Sequence, residues 1–226
     1  MSSHPQHRSL RRTAFGLGAA VATLVALAPA AQTAPVQQTV VPGCTPAVAG
    51  QPNGKQWPAE PALAIDPAAA YTATLDTTCG TVTIDLDAAA APRTVNSFVF
   101  LAGEGYFDHT RCHRLTTEGI YVLQCGDPTA TGMGGPGYQF GDENLAGAVY
   151  PAGTVAMANA GPGTNGSQFF LVYQDTQLPP NYTPFGRISD GLDVVTTIAD
   201  AGVVGGGPDG TPVAEVVLDA VTTAQG

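Results

Sequence analysis

Gln168 and Phe170 stand two residues apart at the end of the run Met157-Ala158-Asn159-Ala160-Gly161-Pro162-Gly163-Thr164-Asn165-Gly166-Ser167-Gln168-Phe169-Phe170. On a strand that spacing projects an amide and an aromatic ring from one face. The loop before them is rich in Gly, Pro and Asn, residues that tolerate positive φ or fix a turn, so its backbone can approach something extended. A polar amide beside an aromatic floor suits a peptide ligand. Two further blocks lie upstream, Cys112-His113-Arg114 and Leu123-Gln124-Cys125-Gly126-Asp127, and Phe185-Gly186-Arg187 lies downstream. Other chemistries find less support. Gly132-Met133-Gly134-Gly135-Pro136-Gly137 has the spacing G-x-G-x-x-G, but Tyr138-Gln139-Phe140-Gly141 after it reads as strand or loop, so no helix N-terminus is offered to a pyrophosphate. Ser167 lacks the G-x-S-x-G elbow and the acid and base of a hydrolase.

Taken together and in this order, the blocks resemble the cyclophilin-type peptidyl-prolyl cis-trans isomerases over roughly Tyr71 to Val221. The resemblance implies rotation about X-Pro bonds, whose barrier of about 18–20 kcal/mol comes from conjugation of the imide nitrogen with its carbonyl. Such a reaction needs no nucleophile, metal or cofactor. It needs a donor near the prolyl nitrogen, which becomes basic as conjugation is lost, and a dry pocket that grips the proline ring. A planar, permanently charged guanidinium suits the donor, and Arg114 matches the family's catalytic arginine. Taken alone, that residue reads as a surface arginine paired with Asp108 or Glu118.

The rest of the site follows from the same resemblance. Gln124 matches the glutamine that holds the arginine and the substrate carbonyl, and Asn159 matches the position whose backbone binds the residue before proline. Ala158 and Ala160 are small enough for close approach. Tyr121, Val122, Phe170 and Leu178 map to the proline pocket, although periodicity alone would place each in a core. Gln168 and Tyr182 complete the substrate-binding set. Proline-containing peptides and unfolded or exported proteins are the implied partners. A non-catalytic proline-peptide-binding module or holdase is the alternative, against which the joint retention of Arg114, Gln124 and Phe170 argues.

The chain departs from the family pattern in two places. The segment between Arg114 and Gln124 is two residues longer than in the common eukaryotic form, so Thr116 to Gly119 are expected to bulge from the strand connection. Where many relatives carry tryptophan and histidine on the pocket rim, this chain has Gln177 and Tyr182, and its one tryptophan is Trp57. Weak binding of cyclosporin-like macrocycles is therefore expected.

The elements that must position these residues are short strands. Tyr71 to Leu75, a turn at Thr78-Cys79-Gly80, and Thr81 to Leu86 with Val82, Ile84 and Leu86 alternating predict a hairpin with one buried face. Pro92 opens a helix whose Val95, Phe98, Val99 and Ala102 fall on one side and which closes near Gly103 and Gly105. Strands are predicted at Arg111 to Leu115, Ile120 to Cys125, Thr154 to Met157, Gln168 to Tyr173 and Phe185 to Ile188. A second helix follows at Leu192 to Ala199 with Leu192, Val195 and Ala199 on one face, then a closing strand at Ala214 to Val221. Many short strands with two isolated helices suggest a closed antiparallel barrel. The resemblance implies a mainly β fold, eight strands capped by two α-helices.

Ahead of that domain the chain changes character. Arg8, Arg11 and Arg12 precede an apolar stretch from Ala14 to about Ala30, ending in Ala28-Pro29-Ala30, so residues 1–30 read as a signal peptide. Arg11-Arg12-Thr13-Ala14-Phe15 also resembles a twin-arginine signal. Residues 31–70 lack a period and carry seven prolines from Pro35 to Pro67, an extended linker whose later part could lie along the domain if Cys44 is bridged. The isomerase-like domain is placed at 71–222 and a tail at 223–226. After cleavage five basic residues face eighteen acidic ones, a net charge of −13, which leaves no basic stripe for nucleic acid or an anionic membrane. An exported, soluble monomer is expected.

Cys44, Cys79, Cys112 and Cys125 all survive cleavage, and an even number in an exported chain points to disulfides. Three connectivities are open. Cys44 with Cys79 and Cys112 with Cys125 is favoured, since the first would tie the arm to the first strand and the second would clip neighbouring strands. Zinc competes, but no C-x-x-C is present. Lipidation of Cys44 is disfavoured because Val41-Pro42-Gly43-Cys44 lies well beyond the apolar core of the leader.

Overall fold

Alternation of Val82, Ile84 and Leu86 with Thr81, Thr83 and Asp85 buries one face of a hairpin formed by β1 (Tyr71–Thr77) and β2 (Gly80–Leu86). The structure is a computed structural model and is described for residues 41–226; the leader and the first part of the linker lie outside the described residues. Gly80 closes the hairpin at φ 128°. The remaining elements are α1 (Pro92–Gly103), β3 (Thr110–Arg111), β4 (Arg114–Thr116), β5 (Val122–Cys125), β6 (Thr154–Met157), β7 (Phe169–Val172), β8 (Pro184–Asp190), α2 (Leu192–Asp200), β9 (Asp209–Gly210) and β10 (Val217–Gln225).

The ten strands of the described residues form one curled sheet in the order β3-β10-β1-β2-β8-β6-β7-β5-β4-β9. This corrects the closed eight-stranded barrel, because the hydrogen-bonded ladder has two ends. The cause lies between Thr110 and Thr116. Within it, Arg111 to Leu115 is expected as one strand, but the stretch pairs first with β10 and then with β5, changing partner at Cys112 and His113. The sheet's far strands are thus joined through the chain rather than by a ladder. β9 adds a two-residue edge on β4 that the Gly-rich sequence did not announce. The closing strand also shifts, to Val217–Gln225, and absorbs most of the expected tail by pairing Tyr71 with Gln225.

The main core fills the concave side. Phe98 of α1 stacks on Phe107 at 4.9 Å and meets Phe169 and Phe185 at 5.5 Å each. Val95, Phe98 and Ala102 are buried as the helical spacing predicts, while Leu101 replaces the half-buried Val99. In α2 the buried residues are Val195, Ile198 and Ala199, and Leu192 is only half-buried.

Residues 41–70 contain no helix or strand, as their lack of period implies, yet they are docked on the domain. Cys44 bonds Cys79, and Thr45 N–H donates to the Thr78 carbonyl at 2.7 Å. The Trp57 ring packs on Phe100 and Tyr106 at 5.1 and 5.8 Å, and its backbone N–H donates to the Pro136 carbonyl at 2.8 Å. Farther on, Ala64 N–H donates to Asn96 Oδ1 at 2.8 Å.

Candidate active site

Facing residues of an antiparallel ladder lie on the same side of the sheet, and Arg114, Gln124, Phe170 and Ala156 face one another in turn across β4, β5, β7 and β6. They form a transverse row. Their neighbours Leu115, Leu123, Leu171 and Val155 point the other way into the main core. The row's own side carries a separate cluster of Val122, Tyr150, Ala156, Phe170 and Val172, with Ala158, Leu178 and Tyr182 packed against it. One set of strands therefore builds the core with one face and a groove with the other.

At the polar end, Arg114 is 39 % exposed and its guanidinium is fully engaged on one edge. Nε donates to Asp209 Oδ1 at 2.7 Å and Nη2 to Asp209 Oδ2 at 2.6 Å. Nη1 reaches Gln124 Oε1 at 3.3 Å. The chain of bonds continues: Gln124 Nε2 donates to Gln168 Oε1 at 2.8 Å, and Gln168 Nε2 to the Gly134 carbonyl at 2.9 Å. The Asp209 hydrogen bonds push the Arg114 pKa up, and the same bonds hold the Asp209 carboxyl below the usual carboxylate range. Asp209, rather than Asp108 or Glu118, is the partner of Arg114. Asp108 instead accepts from the Val221 N–H at 3.0 Å.

The loop that supplies the Gly134 carbonyl is organised by Asp127, which is fully buried. Its carboxylate accepts from the N–H groups of Thr129, Thr131, Gly132 and Gly134 at 2.7–3.1 Å. Burial pushes the Asp127 pKa up, but the bonds from Thr129, Gly134 and Gly132 outweigh it, and the net shift is downward. Gly126 just before it has φ +86°, and a Cβ there would strike the Ser167 carbonyl. The strand end can only be brought this close with glycine. His113 lies beside the same loop with its ring nitrogens buried, and burial lowers its pKa despite the opposing pull of Asp127 and of the Arg111 backbone.

The apolar end is held by ring packing. Tyr182 meets Phe170 edge-on at 5.6 Å and Tyr150 at 6.3 Å, while Tyr150 Oη donates to the Tyr182 carbonyl at 2.8 Å. Of the residues expected in the pocket, Val122, Phe170 and Leu178 come together here with the rim residue Tyr182. Tyr121 does not join them, because its ring packs edge-on against Tyr173 at 5.9 Å. Asn159 bridges the groove mouth, donating through Nδ2 to the Asn181 carbonyl at 2.8 Å, and Ala158 N–H donates to the Gln168 carbonyl at 2.9 Å. Ala158, Asn159, Ala160, Gln124 and Gln168 line a cleft together with Gly134.

The expected bulge starts one residue later than its stated span. Thr116 stays in β4, buried, with Oγ1 accepting from Val122 N–H at 3.1 Å, and the turn occupies Thr117 to Tyr121 with Gly119 at φ +73°. The sequence reading missed Asp209. Its only local signal is the turn-forming run Gly205-Gly206-Gly207-Pro208-Asp209-Gly210, which says nothing about a partner 95 residues upstream. Chemically, the arrangement offers a charged N–H fork two strand spacings, about 10 Å, from an apolar pocket.

Residues 72–223 match the model of the family described as cyclophilin type peptidyl-prolyl cis-trans isomerase. A protein of Mycobacterium leprae named "probable peptidyl-prolyl cis-trans isomerase B" is 49 % identical over 170 residues, covering 69 % of this chain and 57 % of that one. A like-named protein of Mycobacterium tuberculosis is 54 % identical over 145 residues, covering 58 % of this chain and 47 % of that one. The chain thus spans about half the length of these relatives. Among solved structures, a cyclophilin type isomerase of Cryptosporidium parvum aligns with TM-score 0.62 at 29 % identity, over 69 % of this chain and 98 % of that one. The same protein solved in the presence of the dipeptide Ala-Pro aligns with TM-score 0.61 at 30 % identity, over 68 % of this chain and 98 % of that one.

Proposed function

The chain belongs to the cyclophilin type peptidyl-prolyl cis-trans isomerases, and we propose that it catalyses rotation about X-Pro bonds in exported or unfolded proteins. The observation that carries this is the transverse row, in which Arg114, Gln124 and Phe170 share one face of three adjacent strands. In this reading the proline ring sits among Val122, Phe170, Leu178 and Tyr182, and the Asn159 backbone holds the residue before it. Arg114 donates to the prolyl nitrogen as its lone pair leaves conjugation, and Gln124 steadies both the guanidinium and the substrate carbonyl. Only the twisted state presents a basic nitrogen. Each 1.36 kcal/mol by which the donor prefers that state is therefore about tenfold in rate.

The test is an NMR-exchange or protease-coupled assay on a short X-Pro peptide with the exported protein. Acceleration abolished by Arg114→Ala supports the reading. Binding of the peptide with no acceleration would overturn it in favour of a holdase. The disulfides Cys44–Cys79 and Cys112–Cys125 support work in an oxidising, exported compartment; recovery of the protein in the cytosol with an intact Met1 and four free thiols would overturn that. Gln177, exposed beside Leu178, lacks the indole that relatives place on the rim, so cyclosporin-like macrocycles should bind weakly and Gln177→Trp should tighten inhibition. Unaltered inhibition in that variant would sink this account of the rim.

A further inference from the structure

We infer that Asp209 is the positioning residue of the donor arginine, an inference that rests on the function proposed above. Asp209 comes from β9, which pairs with β4 through Leu115 and Gly210 and through Thr116 and Asp209. The approach to it is also fixed: Thr117 N–H donates to the Pro208 carbonyl at 2.9 Å, and Val204 N–H to the Thr211 carbonyl at 2.8 Å. A Gly-rich turn is thereby pinned where its one carboxylate meets Nε and Nη2 of Arg114 in parallel.

Stability is a poor explanation for this pair. The side chains are 39 % and 50 % exposed, and ion pairs at such sites contribute little to folding. A two-point contact does something a single charge contact cannot, because it fixes the plane of the guanidinium as well as its place. An arginine carries five N–H donors. Asp209 takes two and Gln124 a third, which leaves two, on Nη1 and Nη2, aimed by the other three. Without Asp209 the long side chain would hold its plane only through the 3.3 Å contact to Gln124. The charge would remain near the groove while its direction was lost.

A positioning role affects turnover more than ground-state binding, since the pocket that grips proline is formed by other residues. In the full chain, Asp209→Ala should lower kcat on the order of 10- to 100-fold with KM within about twofold of the parent. Asp209→Glu should retain more of the rate than Asp209→Ala. Removal of the carboxylate from an Arg114→Ala protein should cost nothing further, because no donor remains to be aimed. The Arg114 Nε–H resonance, followed by NMR, should lose its hydrogen-bonded shift in Asp209→Ala while the rest of the amide spectrum is kept. Unchanged kcat in Asp209→Ala, a rise in KM alone, or an equal further loss in the Arg114→Ala background would each overturn the inference. A parent protein without isomerase activity would overturn the function it rests on and the inference with it, whereas an active parent matched by Asp209→Ala sinks the inference alone.

Discussion

The two ends of the transverse row are held by different forces. Arg114 is fixed by directional bonds to Asp209 and Gln124 and stays partly in solvent. Phe170, two strands away, is 4 % exposed and fixed by ring packing against Tyr150 and Tyr182. Packing has no preference between a planar and a twisted peptide bond, so under the proposed function the apolar end would grip proline equally throughout the rotation. Hydrogen bonding to a nitrogen that becomes basic only when twisted does discriminate. On that proposal the row would separate uniform binding from selective stabilisation, which alone raises kcat.

Breaking the polar end should produce the largest effect. Arg114→Ala is expected to lower kcat/KM by several orders of magnitude with the fold and ground-state peptide affinity largely kept, and Arg114→Lys should recover little because a point charge cannot replace the planar fork. Steady-state kinetics and peptide titration on the same preparation check this. Near-normal turnover in folded Arg114→Ala would remove the distinction between the two ends.

Breaking the apolar end should behave otherwise. Phe170→Ala should weaken binding and turnover together, because the pocket serves every state of the substrate. It should also cost about 3 kcal/mol of stability, the lower part of the range for a buried phenylalanine, since Phe170 lies in a satellite cluster rather than the main core. Denaturant unfolding and peptide titration read the two effects separately. A fall in kcat with unchanged affinity would show that the aromatic end also acts selectively.

The two ends also differed in how far the sequence revealed them. β2 could be read from its alternation because its outer face is polar. Phe169-Phe170-Leu171-Val172 could not be divided into core and groove, because all four residues of β7 are buried and the groove face is itself apolar. The two-residue spacing put Phe170 on one face with Gln168, the resemblance assigned it to the proline pocket, and the facing of Gln124 with Phe170 supplies the physical reason. Arg114 and Gln124 were found by their blocks, but Asp209 was not, since a carboxylate in a glycine turn has no local mark of its partner. The open ladder was hidden for a similar reason: nothing in Thr110 to Thr116 announces a change of pairing partner at Cys112 and His113.

The smallest effect expected concerns pH and should touch one end only. His113 precedes Arg114, its N–H donates to the Gln124 carbonyl at 3.0 Å, and its ring is buried beside Asp127 and Gly132, under the loop whose Gly134 carbonyl anchors Gln168. Burial lowers its pKa, with Asp127 opposing and Arg114 adding to the shift. The folded state therefore binds this proton less readily than the unfolded chain does. Its contribution to stability is full above the ordinary histidine value of about 6.5 and is lost as pH falls through the folded value. Asp127 and Asp209 stay ionised across that window, because both are shifted below the ordinary carboxylate range. Mild acid should accordingly reduce stability and loosen the polar end while the Phe170 pocket is unaffected. The measurement is denaturant unfolding and kcat from neutral pH downward, in the parent and in His113→Gln, with peptide affinity followed in parallel. The acid slope should flatten in His113→Gln; an equal slope in both proteins would assign it to another group, and a parallel loss of affinity would show that the two ends do not titrate separately.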